Sequence, residues 1–272
     1  MRFDLHTHTN ASDGLHHPKE VVVKAKHIGL GGIAITDHDT TRGLKEGIKA
    51  GIELSITVIP GIELSTDWGI DEVHILGYFI DYNNERLLKL LNVLERERWE
   101  RGKKIVDNLN SFGLKISWND VRTAAKGGVV GRPHIGQVLI DNKSVSNMKQ
   151  AFDLYLGKGK PGYVSRFKLT PQQAIEEVKH VGGVPVVAHP GLLKKYEIVK
   201  DLVTWGLEGI EAFYPQHTRK QQRLFKQLGE SYNLLLTGGS DFHGETRNSN
   251  QLGSATVPLK TILELKERRG GK

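Results

Sequence analysis

Short β-branched runs alternate with amphipathic helical stretches along much of the chain, and that order leaves few architectures open. The runs fall at residues 3–6, 33–36, 57–59, 73–79, 184–188, 209–213 and 234–237, with helical patterns at 18–28 and 41–54 between the first three. Strand, helix, strand, helix is the order of parallel pairing through crossover helices, so seven such strands predict a parallel barrel wrapped in helices. One helix boundary is sharply specified. Thr170, Pro171 and Gln173 supply an N-cap, a first-turn proline and a capping-box partner, and Gly182 and Gly183 end the helix that they start. A chain of 272 residues, 38% of them hydrophobic, can fill such a barrel and carry a smaller insertion as well.

The alternation breaks between residues 82 and 165. A long helical pattern at 85–112 is followed by polar, glycine-containing segments. The expected organisation is a barrel from residues 1–81 and 166–272, with 82–165 as an inserted, mainly helical module covering the active site. Leu87, Leu91, Leu94, Ile105, Leu109 and Phe112 form one stripe at three- and four-residue steps, interrupted by Arg98 and Arg101. Either the helix overhangs there and both arginines snorkel into water, or they line an anion pocket.

The chain has no cysteine, so any metal must be held by histidine and carboxylate. No apolar run is long enough to cross a bilayer, and the start, Met1-Arg2-Phe3-Asp4, has charge where a signal peptide carries its apolar stretch. A cytoplasmic protein without membrane contact is expected. The net charge of +7 suits an anionic substrate.

The histidines fall where strands end. His6 and His8 follow the first run, and the period of two lets both imidazoles leave one side of an extended segment. The second run ends in Asp37-His38-Asp39, the third in Glu63, and the fourth carries His74. Later runs end in His189-Pro190 and in Asp241-Phe242-His243. Any one of these alone reads as a satisfied histidine or a helix-capping aspartate. Together, at the end of a barrel where active sites are built, they imply a centre for at least two ions of manganese, iron or zinc.

With these motifs in this order the chain resembles the PHP (polymerase and histidinol phosphatase) family. That family's pattern is His-x-His after the first strand, an Asp-His pair after the second, a glutamate, a later histidine, a His-Pro and a closing Asp-x-His. Ser12-Asp13-Gly14 and Gly131-Arg132-Pro133-His134 are similar to the TrpH-like branch of metal-dependent phosphoesterases. The resemblance implies the PHP fold, an α/β distorted (β/α)7 TIM-like barrel, and a trinuclear centre. Its first ion would be bound by His6, His8, Glu63 and Asp241. Glu63 would bridge to a second ion at His74 and His189, and Asp13, His38 and His243 would complete a third. Two or three divalent ions are implied, manganese foremost, with iron or zinc as alternatives. Asp37 and Asp39 would orient ligands.

Members of that branch are phosphatases of nucleotides, including nucleoside 3',5'-bisphosphates, and 5'-to-3' exonucleases on short RNA. The expected chemistry is in-line hydrolysis by a metal-bound hydroxide. No protein nucleophile is needed, and neither a cysteine nor a Gly-x-Ser-x-Gly elbow is present. Arg132 and His134, beside Arg98 and Arg101, would contact a phosphate. His134 stays open as a metal ligand or a structural histidine, while Tyr214 and His217 read as packing. The rival readings are a small-metabolite phosphatase of the histidinol-phosphatase type and a non-catalytic metal-binding PHP accessory domain. No RRM or helix-turn-helix pattern is present, so sequence-specific nucleic-acid binding is not expected. The sequence carries no signal for an oligomeric state.

Overall fold

A computed structural model describes residues 1–69, 71–125, 130–165, 169–245 and 250–269. The strands are β1 (Arg2–Thr7), β2 (Gly32–Ile35), β3 (Thr57–Trp68), β4 (Asp71–Tyr78), β5 (Val184–Val187), β6 (Gly209–Phe213), β7 (Leu235–Gly238) and β8 (Val257–Pro258). The helices are α1 (Pro18–His27), α2 (Leu44–Leu54), α3 (Glu85–Ser111), α4 (Trp118–Ala124), α5 (Arg132–Asp141), α6 (Met148–Ala151), α7 (Pro171–His180), α8 (Ile198–Thr204), α9 (Arg219–Tyr232) and α10 (Leu259–Arg268). The chain divides into two compact units, Met1–Leu88 with Lys168–Lys272, and Lys89–Phe167.

The first unit holds one eight-stranded sheet in the order β7-β6-β5-β4-β3-β2-β1-β8. Its seven main strands lie at the expected places, but the sheet is not all parallel. β1, β2 and β3 pair in parallel, as do β5, β6 and β7, whereas β4 runs antiparallel to both β3 and β5. The cause is local: β3 continues past Glu63 to Trp68, and the chain returns directly as a hairpin after Gly69 (φ 61°) with no crossover helix. Glu63 therefore lies within a strand rather than at its end. Because β4 starts at the end where β3 finishes, His74 pairs with Ser65 and reaches the same edge as the C-terminal ends of the parallel strands.

Closure comes after β7. Phe242 bridges Thr7 in parallel, with its carbonyl accepting from the His8 N–H at 2.8 Å. The interior is filled by Leu5, Ala34, Ile59, Leu76, Val184 and Val186, all buried, each worth about 1.5–3 kcal/mol for the larger side chains. α7 starts as its sequence specifies, with Thr170 Oγ1 accepting from the Gln173 N–H at 3.2 Å and Gln173 Oε1 from the Thr170 N–H at 3.0 Å.

The second unit has its own core, including Ile105, Leu109, Ile116, Val121, Ile135, Leu139 and Leu156. Phe112 leaves the expected stripe: α3 ends at Ser111, and the ring is 61% exposed in the turn before Gly113 (φ 98°). Among the described residues no helix is long and apolar enough to cross a membrane.

Candidate metal centre

β1 places His6 and His8 inside the barrel mouth, both fully buried. His6 Nδ1 lies 3.0 Å from Glu211 Oε1. A carboxylate only accepts, so the ring proton belongs on Nδ1 and the Nε2 lone pair points the other way. There it meets Glu63 Oε2 at 3.3 Å, Asp241 Oδ1 at 3.3 Å and His8 Nε2 at 3.1 Å. Acceptors facing acceptors repel unless a cation lies among them.

Glu63 makes the same point more strongly. Its Oε1 is 2.8 Å from His74 Nδ1 and 3.2 Å from His189 Nε2, and its Oε2 is 2.9 Å from His38 Nδ1 and 3.3 Å from both His6 Nε2 and His8 Nε2. Five imidazoles exceed the four lone-pair sites of one carboxylate. Burial pushes the Glu63 carboxyl up, but His38, His6 and His74 override it and hold the group well below the usual carboxylate range. Buried polar atoms without a well-formed hydrogen bond concentrate here: His8 Nδ1, Asp13 Oδ1, His38 Nδ1, Glu63 Oε2 and His74 Nε2. Two donors each about 2.1 Å from a shared ion stand roughly 3.0–3.4 Å apart, close to the 2.8–3.3 Å between Glu63 and its imidazoles. The donor set, nitrogen and carboxylate oxygen without sulfur, fits divalent manganese, iron or zinc.

The side chains fall into three groups whose ligand atoms lie within 4.8 Å of one another: His6, His8, Glu63 and Asp241; His38, Glu63 and His74; and His8, Asp13, His38 and His243. The first group is the set that the resemblance gave to one ion. In the second, His38 stands beside Glu63 and His74, with His189 on the same Glu63 oxygen; in the third, His8 joins Asp13, His38 and His243. The structure thus brings all nine residues together, with His8, His38 and Glu63 each in two groups.

A model of the PHP domain matches residues 4–161. The chain belongs to the PHP family. Among curated relatives, a "5'-3' exoribonuclease" of Haemophilus influenzae is 33% identical over 89% of this chain and 90% of its own. A "3',5'-nucleoside bisphosphate phosphatase" of Chromobacterium violaceum is 31% identical over 92% and 90%. A crystal structure from Bifidobacterium adolescentis, put forward as a metal-dependent phosphoesterase, superposes with a TM-score of 0.91 at 30% identity, covering 98% of this chain and 96% of that one.

Behind these nine residues stands a layer of which the sequence had pointed only to Asp37 and Asp39. Glu211 holds His6 and, through Oε2, accepts from the His189 N–H at 2.6 Å. Asp4 accepts from the backbone N–H groups of Ser240 and Gly253, both at 2.8 Å, tying β1 to the loop that carries Asp241. Tyr214, read as packing, donates its hydroxyl to Asp241 Oδ2 at 3.1 Å. The available signal was alternation: Asp4 shares a strand face with His6 and His8, and Glu211 is a charge inside an apolar strand. Asp37 accepts from Thr9 N–H, Thr9 Oγ1 and Ser12 Oγ, each at 2.7 Å, and so fixes the turn leading to Asp13. Asp39 accepts from the Ser65 N–H at 2.9 Å.

Asp39 (φ 52°), His189 (φ 27°) and Asp241 (φ 53°) all take left-handed backbone conformations that non-glycine residues rarely adopt, as happens where function fixes geometry. At Gly239 a Cβ would lie 2.3 Å from His6 N, so only glycine lets this segment pass β1.

Arg98, Arg101, Arg132 and His134 belong to the second unit. Arg98 and Arg101 are half-buried, and Arg101 Nε donates to Val164 O at 2.7 Å. The Arg132 guanidinium lies over the Phe152 ring at 5.4 Å, and His134 Nδ1 accepts from the Gly131 N–H at 3.0 Å.

Proposed function

We propose that the chain is a metal-dependent phosphoesterase that hydrolyses nucleotide phosphate esters, carried either by a free nucleotide such as a 3',5'-bisphosphate or by the 5' end of a short RNA. The observation that carries this reading is Glu63, ringed by five imidazoles, a nitrogen and carboxylate donor set that suits divalent cations. The names of the Haemophilus and Chromobacterium relatives support the substrate class. The reading includes a centre of three ions, with manganese as the ion and the cytoplasm as the setting.

Divalent ions at such a centre supply a water of lowered pKa and positive charge for the phosphoryl oxygens. Hydrolysis joins a water oxygen to phosphorus, breaks the ester P–O bond and leaves a proton on the departing oxygen. The chain's own part is to hold the donors in place. Tyr214 occupies Asp241 Oδ2 and leaves Oδ1 to His6 and His8. Glu211 fixes the His6 tautomer, and the Asp37 turn presents Asp13 to His243 Nε2 at 3.3 Å.

The reading gives substrate phosphate to Arg98, Arg101, Arg132 and His134, on the strength of the Gly131-Arg132-Pro133-His134 motif, and gives residues 82–165 the part of a cover. His134 suits that part: with Nδ1 accepting from Gly131, its neutral ring carries the proton on Nε2 as a donor. The test is phosphate release by manganese-loaded protein from adenosine 3',5'-bisphosphate, AMP and histidinol phosphate. Preference for the bisphosphate, lost in Arg132→Ala, is expected. Preference for histidinol phosphate would move the chain to the small-metabolite reading.

A further inference from the structure

α9 carries its charge against its own dipole. Arg219 and Lys220 stand in a first turn that has no acidic residue, although a helix N-terminus favours carboxylates and disfavours cations. From Arg219 to Gln227 the helix also has Arg223 and Lys226 and no carboxylate at all. Lys226 lies over the Phe213 ring at 5.1 Å, whereas Arg219, Lys220 and Arg223 make no ion pair among the described residues. An arrangement that weakens the helix and leaves its cations unpaired is explained by an anion brought from outside.

Beside these cations opens a cavity of about 490 Å3 lined by Tyr196, Lys220, Gln221, Arg223, Leu224 and Gln227. Its aromatic wall is fixed: the Tyr196 hydroxyl accepts from Gln221 Nε2 at 3.0 Å, and its ring meets Phe225 edge-on at 5.5 Å. Gln221 Nε2 also donates to Gly191 O at 3.0 Å, and the Gly191 N–H donates to His217 Nε2 at 3.0 Å. Gly191 lies two residues beyond His189, so the cavity wall and the metal centre share one short loop. All of these residues belong to the first unit.

A half-buried aromatic face flanked by unpaired cations, in a volume suited to one small ligand, has the chemistry of a single-stranded nucleic-acid subsite. We propose that this cavity holds a nucleotide of an RNA strand downstream of the one whose phosphate is hydrolysed, its base against Tyr196 and its phosphate at Lys220 and Arg223. The inference rests on the phosphoesterase reading and narrows its substrate. RNA of two or more nucleotides gains an anchor that a free bisphosphate cannot use.

The test compares the wild type with Lys220→Ala/Arg223→Ala and with Tyr196→Leu. One readout is KM and kcat for adenosine 3',5'-bisphosphate and for a 5'-phosphorylated RNA pentamer. The other is binding of a labelled pentamer by fluorescence anisotropy across a salt series, which needs no turnover. The proposal expects the RNA KM to rise about tenfold or more in the double variant, and the log–log salt slope of binding to flatten by about 0.7, since one phosphate loses the cations that neutralise it. Kinetics on the bisphosphate should stay unchanged. Equal losses on both substrates, unchanged RNA binding, or equally tight wild-type binding of an oligoglutamate peptide would overturn it. Bisphosphate turnover with an unaltered RNA KM would sink the subsite alone, whereas no phosphoester turnover at all would sink the parent reading.

Discussion

Glu211 and His6 meet through a 3.0 Å contact between Oε1 and Nδ1, with both side chains wholly out of solvent. The same carboxylate takes the His189 N–H with its other oxygen, so one residue on β6 sets both His6 on β1 and His189 after β5. Glu211→Ala should weaken metal binding about 10–100-fold, as loss of an outer carboxylate does elsewhere. Glu211→Gln, which keeps one acceptor but places an amide donor against a second N–H, should fall between. Chelator competition measures both, and unchanged affinity in the alanine variant would contradict the role.

Glu63→Gln keeps the shape and removes the charge that the imidazoles surround. Ion content per chain, read by mass spectrometry, should drop by more than one ion, and kcat should fall by more than about 100-fold, beyond the loss typical of outer residues. Retained ion content would place the ions elsewhere.

Ion binding should depend on pH with a definite sign. Burial opposes the charged form of His74 and His243, yet Glu63 raises His74 to about 9, and Asp13 with Asp241 raises His243 to about 10. Both lie above the ordinary 6.5, so in ion-free protein the stability that they contribute is complete below pH 6.5 and is lost as pH rises through 9 to 10. Ligation needs neutral rings, so ions displace these protons. Apparent ion affinity should therefore rise from pH 6.5 to 9 while the Tm of chelated protein falls. Calorimetry in buffers of different ionisation enthalpy counts the released protons, and a pH-independent affinity would refute the assignment.

Gly239→Ala would drive a Cβ to 2.3 Å from the His6 N and 2.4 Å from its Cβ. The backbone on both sides must shift, at a cost of about 1–3 kcal/mol in denaturant unfolding, with weaker metal binding as the second readout. Wild-type stability in this variant would show that the approach is looser than described.

The legible part of this protein was its local chemistry. His6, His8, His38, His74, His189 and His243 stood out because histidines and carboxylates recur after apolar runs, and α7 because Thr170 and Gln173 form a complete cap. The direction of β4 was not legible: the stretch from Glu63 to His74 alternates, but alternation alone does not tell a hairpin from two strands joined by a loop. Glu211 and Asp4 were missed because a buried carboxylate in a strand has no pattern of its own until the partner that it holds, here on another strand, is in view. Phe112 kept the helical period but fell past the helix end, where period no longer governs burial.

The most direct test titrates metal-stripped protein with manganese while bound ion and phosphate release from adenosine 3',5'-bisphosphate are followed together. The account predicts no release without ion, and release that grows as more than one ion per chain is bound. Full binding of manganese, iron or zinc without turnover of any phosphoester would contradict it and leave a metal-binding PHP domain without catalysis.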